Sequence, residues 1–157
     1  MKVCGVEFNK RYDTEELLDL IESYRAENDI FIQLFNHEKV VGKDHLLWAY
    51  DKAVERRDQE NNRADSLEIE TLLWASTEWQ IKDAIKKMGV PENSDKAVLM
   101  IEEGLNRILK EMDWKRQDDL LEPSIEKLKG FGIDDKEIES VSQPFDLIFE
   151  KMSTSIL

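Results

Sequence analysis

Cysteine is nearly missing. Cys4 stands alone in 157 residues, so no internal disulfide can form, and a reducing cytoplasm is the expected compartment. Histidine is almost as scarce: His37 and His45 are the only two, no Cys/His cluster surrounds them, and no zinc or iron ligand set is legible. Apolar runs are short, and none approaches the roughly 18 residues that cross a bilayer. The start, Met1-Lys2-Val3-Cys4-Gly5, reads as a strand rather than as a secretion signal. Positive charge is in deficit, with 22 Lys and Arg against 35 Asp and Glu and a net charge of −13. That balance excludes a broad basic face for duplex nucleic acid, where lysine and arginine must neutralise phosphates. The deficit is uneven: residues 43 to 88 hold eight bases against ten acids, which leaves room for a local basic spot. No glycine-rich loop follows a strand, and Gly130-Phe131-Gly132 reads as a turn, not as a phosphate loop.

What is present is a globular profile, 41% hydrophobic and 36% charged, fitting one domain over residues 1–157. Val3, Cys4, Val6 and Phe8 predict a first strand, and Asp13-Thr14 caps a helix carrying Leu17, Leu18, Ile21 and Tyr24. Ile30 to Phe35 has the density of a buried strand. After Gly42 an amphipathic helix is expected over Lys43 to Asp58, with Leu46, Leu47, Tyr50, Ala53, Val54 and Arg57 on one side. A polar loop spans residues 59–65, Ser66 caps a helix to Ser76, and Trp79 to Met88 reads as another, stopped by Gly89. Pro91 to Asp95 is a turn, Ala97 to Ile101 a strand, and Leu105 to Met112 a helix; Asp119-Leu120-Leu121 reads as a brief edge strand. Short helices follow at Ser124–Lys129 and Asp134–Val141. Pro144 opens a last one with Phe145, Ile148, Phe149, Met152 and Ile156 on one side. The irregular alternation predicts an α+β fold: a small mixed β-sheet covered by helices as a two-layer sandwich.

Catalysis finds no footing. Cys4 reads as a structural thiol, and Asp118-Asp119 and Asp134-Asp135 read as solvated acidic turns; no metal or cofactor is expected. An enzyme using Asp118 with Asp119 stays as a rival reading. The tryptophans are more informative. Trp48 lies off the apolar stripe among Asp44, Asp51, Lys52 and Glu55, and Trp74 points toward Glu70 and Thr71, so each is either a candidate protein-contact anchor or base platform or a ring covered by other loops and helices of the same domain. Lys82, Lys86 and Lys87 crowd two helical turns, as a nucleic-acid contact or simply as a solvated face.

The run Gln33-Leu34-Phe35-Asn36, then Val40-Val41-Gly42-Lys43-Asp44-His45-Leu46-Leu47-Trp48-Ala49, resembles the small regulatory subunits of the KEOPS tRNA-modification complex. Ser66 to Ser76, Gln80-Ile81, Ala84-Ile85 and Met88-Gly89-Val90 continue in register, and Ala97 to Glu102, Gly130 to Ile133 and Glu150 to Met152 echo the rest, so that the likeness spans about Ile30 to Met152. It implies an α/β sandwich without an active site. Such a subunit binds the small atypical kinase/ATPase subunit of KEOPS, supports threonylcarbamoyladenosine formation on tRNA, and in archaeal members holds the tRNA 3′ CCA end. Carried onto this chain, His45, Trp79, Gln80 and Lys82 are the RNA candidates, and Trp48, Trp74, Phe149 and Met152 the partner-binding candidates. The sequence departs at two places. Thr77 and Trp79 stand where the family has a glycine and a basic residue, and Ser153-Thr154-Ser155 replaces a more apolar stretch. A diverged protein-binding module that has lost tRNA is therefore the alternative.

Overall fold

The computed structural model describes residues 1–155; Ile156, expected on the last helix, lies outside them. The strands are β1 (Lys2–Tyr12), β2 (Ile32–Phe35), β3 (Ser94–Ile101) and β4 (Lys115–Arg116). The helices are α1 (Thr14–Asn28), α2 (Lys43–Asp58), α3 (Leu67–Ser76), α4 (Ile81–Met88), α5 (Leu105–Met112), α6 (Ile125–Lys129), α7 (Asp135–Glu139) and α8 (Leu147–Thr154). The strands hydrogen-bond in the order β2-β3-β1-β4, with Cys4 and Leu34 both opposite Leu99 and Val6 opposite Arg116. The α+β class holds, but every pairing is antiparallel, where a mixed sheet was expected.

Side-chain alternation sets the layering, because successive residues of a strand face opposite sides. Cys4, Val6, Phe8, Ile32, Leu34, Leu99 and Ile101 pack with Leu17, Ile21 and Tyr24 of α1 and Ile108 of α5. Val3, Phe35, Val98 and Met100 pack on the other face with α2, α3, α4 and α8. Helices cover both faces, so the expected two layers become three. The physical reason is that β1 and β3 are apolar on both sides of the sheet.

Gly5 marks a close approach. A Cβ placed there would lie 1.9 Å from the Gln117 carbonyl oxygen, while the Gln117 N–H donates to the Gly5 carbonyl at 2.8 Å. The connection after β4 thus crosses β1 where only a hydrogen fits. Helix starts follow the sequence signals: Asp13 accepts from the Glu16 N–H at 2.7 Å, Ser66 from Ile69, and Asp134 with Glu137 closes a capping box.

Several boundaries move. β1 runs on to Tyr12, and α4 begins only at Ile81, leaving Trp79 and Gln80 in the preceding connection. Residues 118–121 form a 3-10 turn; the edge strand is Lys115–Arg116 instead. Pro144 opens a 3-10 turn ahead of α8. The largest surprise is α3, in which every residue from Glu70 to Ser76 is buried. Packed among α2, α4, α8 and the sheet, it is a central helix, and burying Leu72, Leu73 and Trp74 contributes roughly 1.5–3 kcal/mol each.

Candidate functional site

Two surface regions gather the residues singled out above. In the first, α2 brings Trp48 against Trp74 of α3, ring centroids 5.9 Å apart and edge-on, and against Phe149 of α8 at 6.4 Å. The Lys52 ammonium stands 5.4 Å from the Trp48 ring. Trp48 and Phe149 are half-buried and present part of their rings to solvent. Trp74 and Met152 do not: Trp74 is 3% exposed and Met152 is fully buried. As direct contact residues these two are corrected, because α3 and the inner side of α8 form core. They act instead as the floor beneath Trp48 and Phe149.

The second region is the connection from α3 to α4. Thr77 takes the left-handed conformation (φ +63°) as the C-cap of α3, the geometry in which glycine is favoured. Beyond it Trp79 is 58% exposed, and Gln80 and Lys82 are exposed as well. Cations clasp this short segment from two sides. The Arg63 guanidinium donates to the Glu78 carbonyl at 3.2 Å and the Trp79 carbonyl at 3.0 Å, and it stacks 5.3 Å from the Trp79 ring. From α4, Lys87 reaches Thr77 Oγ1 at 3.3 Å and Glu78 Oε1 at 3.4 Å. Arg63 and Lys87 thus fix this connection from both sides.

Between these groups lies a cavity of about 110 Å³ lined by Arg56, Asn61, Arg63, Glu70, Trp74 and Trp79. Glu70, 1% exposed, accepts from the Arg63 and Ala64 backbone N–H groups through one oxygen, both at 2.8 Å. Its other oxygen, Arg63 Nη2 and the Trp74 indole nitrogen are buried without a partner. Donors and an acceptor around one polar cavity of this size are paired by water or by a bound polar molecule. Burial pushes the Arg63 guanidinium down and Glu70 pulls it back.

His45 belongs to neither region. It is fully buried, its Nδ1 accepting from the Val41 N–H at 3.0 Å and its Nε2 facing the Ala75 carbonyl at 2.9 Å. With both ring nitrogens occupied it offers nothing to RNA, and its role is structural. Elsewhere Cys4 is fully buried, its thiol pushed up to about 11 by that burial. Asp118 accepts from the Arg116 guanidinium at 2.9 Å, and Asp134 caps α7.

A family model described as kinase binding protein CGI-121 matches residues 9–152. The chain belongs to this family. The match contains both regions, and the family's description is one of binding rather than catalysis. No curated protein matches the chain. Among the described residues no helix is long and apolar enough to cross a membrane. For this member of the CGI-121 family, sequence reasoning finds Trp48, Phe149, Trp79, Gln80 and Lys82 at the surface and Arg56 among the bases of this stretch, but misses the roles of Arg63 and Glu70. Glu70 gives no signal in the sequence, because it shares the first turn of α3 with Glu68 and reads as an ordinary acid at a helix N-terminus.

Proposed function

We propose that the chain is a single-domain, non-catalytic regulatory subunit of a KEOPS-like complex, working in the cytoplasm by binding the small kinase/ATPase subunit and supporting threonylcarbamoyladenosine modification of tRNA. The observation that carries the kinase part is the pair of half-exposed rings, Trp48 on α2 and Phe149 on α8, seated on a rigid floor of Trp74 and Met152 within the stretch that matches the kinase-binding family. Large aromatics held by a packed base are what interface anchors require, because little side-chain entropy remains to be lost on docking. The action is positional: docking favours the productive arrangement of the kinase subunit. No cofactor and no metal is invoked.

Co-expression with the small kinase subunit of the same source, followed by affinity capture, tests this. The two proteins are expected to co-purify, and Trp48→Ala to lower capture more than tenfold. Failure of the wild-type chain to retain the kinase, or turnover of a small molecule by the isolated chain, would sink the reading.

The tRNA 3′ CCA end is the second ligand of this proposal. What favours it is Trp79, an exposed ring beside Arg63, since unpaired bases bind by stacking and a few hydrogen bonds rather than in a broad basic groove. A protein-binding module without RNA is the competing reading. A mobility shift with CCA-ended tRNA, abolished by trimming the end, separates them.

A further inference from the structure

The Glu70 carboxylate and the Arg63 guanidinium line one cavity, carry opposite charges and do not meet. Among the described residues no carboxylate comes within ion-pair distance of Arg63, nor of Arg56, the second guanidinium of the same cavity. Both arginines stand instead over the Trp74 ring, at 5.8 and 5.5 Å from its centre. A carboxylate and a guanidinium taken out of water normally close on each other, because each is costly to bury alone. Here they leave a gap.

The gap has a definite hydrogen-bonding character. Two buried donors without a partner, Trp74 Nε1 and Arg63 Nη2, share it with one buried acceptor, Glu70 Oε1. Glu70 cannot turn away, since its other oxygen holds the Arg63 and Ala64 backbone N–H groups. Two guanidinium groups against one carboxylate leave a net positive charge. Burial lowers the Arg63 guanidinium, Glu70 raises it, and Arg56 lowers it again. At about 110 Å³ the cavity has room for several heavy atoms, as about 10–15 Å³ already admits one water.

We propose that this cavity binds a small oxyanion that still carries a proton, of the class of hydrogen phosphate or hydrogen carbonate. Its charged oxygens accept from Trp74 Nε1, Arg63 Nη2 and the Arg56 guanidinium, and its hydroxyl donates to Glu70 Oε1. An oxyanion without a proton would set a lone pair against that carboxylate, so the site selects by protonation and not by charge alone. The exposed Trp79 ring forms part of the wall, and the solute sits behind it. Neither the kinase nor a nucleic acid takes part, so this site stands or falls apart from both readings above.

Thermal melts of the full chain at pH 7 in four sodium salts, against a chloride reference of equal ionic strength, test it. Phosphate and hydrogen carbonate keep a proton at that pH; sulfate and acetate do not. At least one of the first two is expected to raise Tm by roughly 3–5 °C at ten times its Kd, while sulfate and acetate stay at the chloride value. The tighter of the two shows whether the ligand is tetrahedral or planar. Glu70→Gln keeps an oxygen for the two backbone N–H groups but turns a donor into the cavity. It is expected to weaken the proton-bearing anion about tenfold or more and to admit sulfate or acetate. Trp74→Phe removes one donor and should weaken binding roughly tenfold with the selectivity kept, which decides the matter even if Glu70→Gln does not fold. Equal shifts in all four salts show a general salt effect and overturn the proposal. No shift in any of them shows a cavity filled by water only and overturns it as well. Wild-type selectivity in Glu70→Gln, or wild-type affinity in Trp74→Phe, places the anion elsewhere and does the same.

Discussion

His45 Nε2 lies 2.9 Å from the Ala75 carbonyl oxygen and ties the first turn of α2 to the last turn of α3. Because Nδ1 accepts from Val41, the neutral tautomer with its proton on Nε2 satisfies both bonds, and a second proton would be driven against the Val41 N–H. Burial accordingly lowers the pKa from 6.5 to about 4, the Ala75 bond opposing and Lys127 and Lys87 adding to the fall. The unfolded chain therefore takes up the proton first. The stabilisation, about 3 kcal/mol, is fully present above pH 6.5 and is lost as pH falls toward 4. Thermal melts from pH 7.5 to 4 should show that decline, and His45→Leu should lower the melting temperature at pH 7.5 while flattening the slope below 6.5.

Trp48 and Trp74 touch, yet their removal should have opposite readouts. Trp74→Ala empties the centre of the helical layer and is expected to cost about 3–5 kcal/mol. Trp74→Phe should cost less than its volume suggests, because it also removes a buried, unpartnered N–H. Trp48→Ala is expected to cost about 1 kcal/mol and to show its main effect in kinase capture. Denaturant melts of the three variants beside capture assays check this.

Thr77 is a β-branched residue at φ +63°. Thr77→Gly removes that strain and should stabilise by about 1 kcal/mol, a rise of roughly 2–4 °C in melting temperature. The Lys87 bond at 3.3 Å is weak enough that its loss does not reverse the sign.

Gly5 faces a backbone carbonyl that no rotamer change can move. Gly5→Ala is therefore expected to cost more than about 3 kcal/mol, far beyond a usual small-residue exchange, or to prevent folding altogether.

Glu70 holds the loop before α3 by two backbone N–H groups. Glu70→Ala would leave both unpaired, at about 1–3 kcal/mol each if they stay buried. The cheaper outcome is that the loop opens. Hydrogen exchange at the Arg63 and Ala64 amides should accelerate strongly, with Arg63 released from Trp79.

The helix caps, the two main strands and the spacing of α1, α2 and α5 were readable because they depend on neighbours close in the chain: Asp13, Ser66 and Asp134 sit where their hydrogen bonds form. The burial of α3 was not readable, since a helix apolar around most of its circumference gives no stripe from which to assign faces, and Trp74 was placed outward on that account. Trp79 was expected inside a helix, but a left-handed Thr77 ends α3 and lets Arg63 fix a non-helical link. Arg63 is not legible because its role arises from contacts 15 and 16 residues away in sequence. The resemblance implies His45 as an RNA ligand, but both its ring nitrogens are taken by the backbone of its own fold, Nδ1 accepting from the Val41 N–H and Nε2 donating to the Ala75 carbonyl.

The sheet's outer boundaries carry a last implication. β4 is two residues long and both are charged, while β2, at the opposite margin, has one carbonyl, that of Ile32, taken by Arg25 at 2.6 Å. Each rim is thereby a poor template for a foreign strand. Assembly by strand addition and polymerisation through these margins are therefore disfavoured, and helices and turns offer the larger surface for contact.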